Sequence, residues 1–139
     1  MAIRRTRGHA GRTRAACRRH HLGRTAAAGG CAGRTDRREL ELLDLLDGGA
    51  LLVDSRTSGS FGGRTIPGAV NIPHDQTVAR QAELTRDELN VLFCNGPQCP
   101  QSPDAIRQLI ADGFPADALA YYRGGMHDWV TLALPTKDL

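Results

Sequence analysis

Residues 91–109, VLFCNGPQCPQSPDAIRQL, decide the fold because they run from an apolar segment through a short loop into a helix start. Cys94 stands at the end of the apolar segment, and Cys99 lies further along the loop. A short apolar run that leads directly into a helix is typical of a strand buried in a parallel sheet. The stretch therefore predicts a strand over NVLF at 90–93, a loop that carries a thiol at its first position, and a helix capped by Ser102.

This helix has further start and stop signals in Pro103, Asp104 and Gly113. From residue 36 onward, the rest of the chain alternates in the same way between helix and strand patterns. One predicted helix is capped by Asp36, has Leu42, Leu43 and Leu46 on one face, and ends at Gly48 and Gly49. A partial helix over 77–89 and a short helix over 127–132, packed by Trp129, are also predicted. The further predicted strands are ALLVD at 50–54, TIPGAVNIP at 65–73 and ALAYY at 118–122. Helices that separate strands predict an α/β domain of three layers, with a mainly parallel central sheet flanked by helices.

Charge separates the first part of the chain from the rest. Residues 1–38 contain 11 arginines and one acid, a formal charge of +10, whereas residues 39–139 contain 7 basic and 14 acidic residues, a charge of −7, and the two sum to the net +3. Residues 1–35 contain few large apolar residues, too few to offset the entropy of ordering a backbone. We therefore expect a basic, disordered tail over 1–35 and a single domain over 36–139.

Three functional interpretations of the tail compete with a passive one. An arginine arm can neutralise nucleic-acid phosphates, yet this tail has no aromatic residue to stack on bases, so nucleic acid is not an expected partner. An organellar transit peptide is also rich in arginine and poor in acids, but glycines interrupt the amphipathic pattern here. Cys17, His20, His21 and Cys31 lack the spacing of a common zinc site, so no metal is expected.

Composition favours a soluble protein in a reducing compartment. No apolar run approaches the length that crosses a bilayer, and no apolar segment follows the N-terminal arginines, so neither a membrane association nor a signal peptide is expected. Two of the four cysteines lie in the tail and two lie within one loop, which is not the framework of a secreted domain held by disulfides. We expect a cytoplasmic protein with free thiols.

Cys94 is the candidate nucleophile because a thiol at the carboxyl end of a central strand faces a helix N-terminus. The partial positive charge of that helix end and inward-facing loop amides favour the thiolate and predict a lowered thiol pKa. The alternative is a small packing residue, since unpaired cysteines are often buried. The polar and small residues of the loop favour the first interpretation and are the predicted substrate contacts: Asn95, Gly96, Gln98, Cys99, Gln101 and Ser102.

Four motifs occur in an order that resembles the rhodanese-like sulfurtransferases in their single-domain form. They are LLVDSR at 51–56, GRTIPGAVNIP at 63–73, the cysteine loop at 94–102 and YRGGMHDW at 122–129. The resemblance implies that Cys94 accepts a sulfane sulfur as a persulfide, and that Asp54 and Arg56 hold the structure near it. It also implies thiosulfate or a persulfide as donor, and cyanide, a small thiol or a protein thiol as acceptor, with no metal or organic cofactor.

The chain departs from the pattern of that family at two places. Family members often carry arginine or lysine in the cysteine loop, where Gln98, Gln101 and Ser102 stand here, which implies weak thiosulfate turnover or a less charged persulfide donor. The missing loop arginine also argues against the phosphatase relatives of this fold, because a phosphoryl group in transfer needs a guanidinium. Thr65 stands where members often have histidine, which weakens the case for proton transfer at that position.

Cys99 has two interpretations that lead to different functions. It either resolves a modified Cys94 by forming a loop disulfide, or it packs within the loop. The prolines at 97 and 100 restrict how the two sulfurs approach each other. The second class of function is therefore a non-catalytic interaction or redox-sensing module that uses Cys94 and Cys99.

The remaining motif residues are expected to support the structure. Arg56 either contacts the substrate or forms a buried ion pair with Asp54. Glycines 124–125 predict a tight turn near the cysteine loop. His127 is expected to be exposed and to face away from Asp128, because adjacent helix residues point in different directions.

Overall fold

The computed structural model describes residues 36–139, so the predicted tail and its alternatives lie outside the described residues. Within them, the chain forms three α-helices and seven short strands. The strands are β1 (Asp36–Arg37), β2 (Leu51–Asp54), β3 (Arg64–Thr65), β4 (Val70–Asn71), β5 (Asn90–Phe93), β6 (Leu119–Tyr122) and β7 (Lys137–Asp138). The helices are α1 (Glu39–Asp47), α2 (Gln101–Ala111) and α3 (Gly125–Thr131).

The five-stranded main sheet is parallel throughout and has the strand order β1-β6-β5-β2-β4. β5 lies at its centre, between β2 and β6, and all of its residues are buried. β3 and β7 form a separate antiparallel pair. The predicted α/β class and parallel central sheet are confirmed, and β5 brings Cys94 to the carboxyl edge of that sheet.

Helices cover both faces of the main sheet and make the three predicted layers. Alternate side chains of β5 point to opposite faces, with Leu92 on one face and Phe93 on the other. α2 packs on the Leu92 face through Ile106. α1 and α3 pack on the Phe93 face through Leu42 and Trp129, so the predicted packing role of Trp129 is confirmed.

Two predicted helix caps are wrong because the backbone enters each helix by a different residue. Asp36 lies in β1, which pairs with β6, and α1 begins only at Glu39. Pro100 precedes α2, and its carbonyl accepts the Asp104 N–H at 2.9 Å. Proline suits this position because it has no N–H to leave without a partner. Ser102 is consequently the second residue of α2 and does not cap it.

The segment 65–73, predicted as one strand, is divided between β3 and β4, which belong to different sheets. A turn separates the two strands, in which the Ala69 N–H donates to the Ile66 carbonyl at 3.1 Å and Gly68 has a φ of +83°. Residues 77–89 contain a series of turns and one 3₁₀ turn in place of an α-helix. No helix in the described part of the chain is long and apolar enough to span a bilayer.

Candidate functional site

The cysteine loop leaves the carboxyl end of β5 at Cys94 and is held by the start of α3. The Cys94 carbonyl accepts the Met126 N–H at 2.9 Å, and the Asn95 carbonyl accepts the His127 N–H at 2.8 Å. Amides in the first turn of a helix have no partner within that helix, so these bonds satisfy them. The predicted glycine turn therefore does lie beside the cysteine loop.

Gly125 allows α3 and the cysteine loop to approach this closely. Its φ is +57°, and a Cβ atom on this residue would lie 2.3 Å from the Cys94 carbonyl oxygen and 2.8 Å from the Gly96 nitrogen. Both distances are far below van der Waals contact, and both partners are backbone atoms that cannot rotate away. Any side chain at this position must displace the loop or the helix.

The Cys94 thiol is buried, with 1% of the residue exposed. Its sulfur lies 3.3 Å from the Cys99 carbonyl oxygen and 3.9 Å from that of Gly96, so the thiol donates towards carbonyls. Burial raises the pKa of the Cys94 thiol, and the neighbouring Cys99 side chain raises it further. The backbone N–H and hydroxyl of Ser102 lower the pKa, but by less.

The predicted lowering of the Cys94 pKa is therefore wrong. The N-terminal turn of α2 does direct a donor at the sulfur, through the Ser102 amide, as expected. However, loop carbonyls point to the same atom and the protein excludes water, and both effects favour the neutral thiol. The Ser102 hydroxyl is also buried and makes no hydrogen bond of ordinary geometry within the described residues. The sulfur thus lies between donors that favour the thiolate and acceptors that favour the thiol.

Two open pockets of about 400 Å³ each flank the tip of the cysteine loop. The loop pocket is lined by Asn95, Gly96, Pro97, Gln98, Cys99 and His127. The arginine pocket is lined by Arg107, Arg123, Tyr121, Gln98, Cys99 and the prolines at 97, 100 and 103. Of the predicted substrate contacts, the structure brings Asn95, Gly96, Gln98 and Cys99 to a pocket. Gln101, Ser102 and Arg56 line neither pocket, and neither does Cys94.

Cys99 is the loop thiol that borders both pockets. It is partly exposed, and its thiol donates to the Gln101 side-chain oxygen at 3.6 Å. Its carbonyl accepts the Cys94 thiol, so the backbone of the second cysteine is in direct contact with the sulfur of the first. The two cysteines are both unpaired in the described structure. A molecule in either pocket therefore meets Cys99 before it meets Cys94.

Asp54 and Arg56 form a buried ion pair beneath the loop. Arg56 Nη2 lies 2.6 Å from Asp54 Oδ2, and that oxygen also accepts the Thr65 hydroxyl at 2.7 Å. Arg56 Nη1 donates to the Phe61 carbonyl at 2.9 Å and to the Asn95 side-chain oxygen at 3.4 Å. The ion-pair interpretation is confirmed. Direct contact with a substrate finds no support, because Arg56 is 2% exposed, so we treat it as a positioning residue for the loop.

Three features of the pockets were not found from the sequence. His127 is exposed as predicted, but its Nδ1 lies 2.8 Å from Asp128 Oδ1, so the expectation that the two face apart is wrong. Arg123 directly follows β6 at the sheet edge that carries Cys94, and that position was a usable signal. Arg107 lies on α2, and its approach to the same pocket depends on where that helix begins and how it packs.

Comparison with known proteins identifies the family of the described domain. Residues 39–132 match the family model for the rhodanese-like domain. The chain belongs to the rhodanese-like domain family. The solution structure of the rhodanese-like domain of the Alr3790 protein from Anabaena is 20% identical, with a TM-score of 0.59 over 77% of this chain and 80% of that one. The rhodanese-related protein of Thermoplasma volcanium is 19% identical, with a TM-score of 0.58 over 70% of this chain and 92% of that one.

Two further relatives carry names that indicate different functions. The thiosulfate sulfurtransferase of Pseudomonas aeruginosa is 22% identical, with a TM-score of 0.59 over 77% of this chain but only 20% of that one. The HTH-type transcriptional regulator Rv0324 of Mycobacterium tuberculosis is 36% identical over 99 residues, which cover 70% of this chain and 42% of the regulator. The chain thus spans about two fifths of that curated relative. At these identities, the structural likenesses establish the rhodanese-like fold.

Proposed function

We propose that this rhodanese-like domain is a sulfurtransferase that moves sulfane sulfur through a persulfide on Cys94. One observation carries the proposal: the Cys94 sulfur, at the end of the central strand, receives the Ser102 amide from the first turn of α2 and lies beside a buried hydroxyl that has no other partner. Unused donors next to a nucleophilic atom are suited to stabilising added negative charge. Membership of the rhodanese-like family supports the same chemistry.

The transfer proceeds in two balanced steps. The Cys94 thiol first loses its proton to solvent, and the thiolate attacks the outer sulfur of thiosulfate or of a persulfide. A new S–S bond forms as the old one breaks, and sulfite or a thiolate leaves with the electron pair. Cyanide, a small thiol or a protein thiol then removes the outer sulfur and returns Cys94 to the thiolate. No metal or organic cofactor takes part.

The raised pKa of Cys94 makes this chemistry slow at neutral pH. Only a small fraction of the thiol is ionised there, and that fraction increases as the pH approaches the thiol pKa. The donor also has to displace part of the cysteine loop, because Cys94 lines neither pocket. We expect low turnover at neutral pH, in a reducing compartment such as the cytoplasm, where free thiols persist.

Mass spectrometry of the intact protein tests the proposal. After incubation with thiosulfate or glutathione persulfide, we expect the mass of one added sulfur, located on the peptide that contains Cys94. Cyanide should remove it, and Cys94→Ser should abolish it. Cys99→Ser is the matched control, since it removes the neighbouring thiol and leaves Cys94 in place. Failure of every donor to modify Cys94 contradicts the proposal.

A redox-sensing module is the second candidate function. The contact between the Cys94 thiol and the Cys99 backbone favours it, and one relative is named a transcriptional regulator. A disulfide oxidant such as oxidised glutathione would convert the two thiols into one intramolecular disulfide and release two molecules of reduced glutathione. A loss of two hydrogens from the peptide that carries both cysteines, without added sulfur from any donor, favours sensing over transfer.

A further inference from the structure

We infer that the arginine pocket binds the carboxylate groups of a low-molecular-weight persulfide and so sets which sulfur donors the domain accepts. Arg107 and Arg123 line this pocket from different elements, and Cys99 lines it with them. The sulfur chemistry of the donor rests on the proposed function. The binding of carboxylates by the pocket is independent of the proposed function.

Two separate elements bring the guanidinium groups to one opening. Arg123 is the first residue after β6, at the carboxyl edge of the sheet, and Arg107 lies further along α2 from the loop. Three prolines, at 97, 100 and 103, add stiff lining to the same opening, and Gln98 adds an amide. No carboxylate is among the described residues that line the pocket.

The two arginines have unused capacity to bind an anion. Arg123 lines the pocket, is exposed, and makes no hydrogen bond or ion pair with any described residue. Arg107 is paired through Nη2 with Asp104, which leaves its other guanidinium nitrogens for a ligand. Residues 39–139 carry a net charge of −7, so two such cations at one opening are a local exception in an acidic domain.

The size and chemistry of the pocket indicate the class of ligand. A volume of about 400 Å³ is in the range of sites for organic ligands and exceeds what thiosulfate fills. A planar guanidinium matches a carboxylate with two parallel hydrogen bonds. Cys99 stands at the same pocket, so a carboxylate held by the arginines leaves the sulfur end of the ligand near the loop thiols. A thiol persulfide with one or two carboxylates, up to the size of a tripeptide, fits these features.

Binding of an unreactive anion tests the pocket independently of any sulfur transfer. S-methylglutathione has two carboxylates and no thiol, and its affinity for the full 139-residue chain can be measured by NMR titration. We expect the Arg107→Gln, Arg123→Gln double variant to bind it about fivefold to tenfold more weakly, with the wild-type affinity falling as salt is added. Arg80→Gln is the matched control, because Arg80 is a surface arginine, with 35% of its side chain exposed, that lines neither pocket. Equal affinities in all three proteins, or no binding to the wild type at millimolar concentrations, overturn the inference.

A matched pair of donors separates this inference from the proposed function. N-acetylcysteine persulfide and N-acetylcysteamine persulfide differ only by a carboxylate. We expect faster persulfidation of Cys94 by the carboxylated donor in the wild-type chain, and equal rates in the double arginine variant. If neither of these donors, nor thiosulfate, nor glutathione persulfide modifies Cys94, the proposed function fails and the titration still decides the pocket. If both modify it at equal rates in every variant, sulfur transfer stands and the pocket has no part in choosing the donor.

Discussion

Gly125→Ala should destabilise the domain through a single steric contact that can be measured apart from backbone strain. Alanine at a φ of +57° costs about 1–2 kcal/mol of folding free energy, because its Cβ disfavours the left-handed region. The same Cβ would lie 2.3 Å from the Cys94 carbonyl oxygen, and overpacking of this kind costs about 1–3 kcal/mol more. The sum is about 2–5 kcal/mol, a large part of the stability of a small domain.

Gly113→Ala isolates the first of these contributions. Gly113 has a φ of +88° after α2, and an added Cβ there meets nothing within 4 Å. Urea unfolding of both variants should show a further loss of about 1–3 kcal/mol for Gly125→Ala at an unchanged slope. Displacement of the loop should also raise the rate at which iodoacetamide modifies Cys94. Equal stability losses in the two variants would refute the close approach of α3 to the cysteine loop.

Four further predictions concern the sulfur and the ion pair beneath it. The raised pKa of Cys94 predicts that its alkylation rate, measured by peptide mass spectrometry, keeps increasing about tenfold per pH unit beyond the ordinary thiol pKa of 9.0. A rate that reaches a plateau near neutral pH contradicts this prediction. The Cys94 thiol has a lower pKa in the unfolded chain than in the folded one, so it ionises first in the unfolded chain. Its contribution to stability is therefore complete below the unfolded pKa and is lost as the pH rises through the folded pKa. Urea unfolding at several pH values can detect this loss. Ser102→Ala should slow persulfide formation severalfold without lowering the free energy of unfolding, because the lost hydroxyl makes no hydrogen bond of ordinary geometry. A clear loss of stability would show that the hydroxyl does make a hydrogen bond in the folded protein. Asp54→Asn should lower the free energy of unfolding by about 3–5 kcal/mol in the same measurement, because it leaves the buried Arg56 without its carboxylate. A loss below about 1 kcal/mol would show that another group compensates the charge of Arg56.

The main strands could be predicted because their sequences are short, apolar and continuous. β2, β5 and β6 are buried on both faces of a parallel sheet, so most of their positions carry apolar side chains and the run itself predicts the strand. The buried polar residues Asp54 and Asn90, at the ends of their strands, are exceptions. The two-residue strands β3, β4 and β7 have no such pattern. They form only because a partner backbone lies alongside. This is why 65–73 was wrongly predicted as one strand.

The helix starts show the same division between local and distant causes. The end of α2 follows from Gly113, whose positive φ is a local property of glycine. Its start does not follow from Ser102, because the stiff path of the loop through Pro100 opens the helix earlier. Asp36 failed as a cap for a similar reason, since pairing with β6 holds it in a strand.

The sequence by itself determined the parallel α/β sheet, the position of Cys94 at the end of its central strand, and the glycine turn that contacts it. These depend on side-chain burial and on glycine conformation, which neighbouring residues encode. Only the tertiary structure decided the direction of the Cys94 pKa shift and the placing of Arg107 and Arg123 at one pocket. A pKa depends on the carbonyls, amides and water that surround the sulfur, and a pocket depends on how separate elements pack. The carbonyls and the amide at the sulfur come from residues 96–102. The packing that excludes water from Cys94, and the shape of the pocket, are set by contacts between residues far apart in the chain.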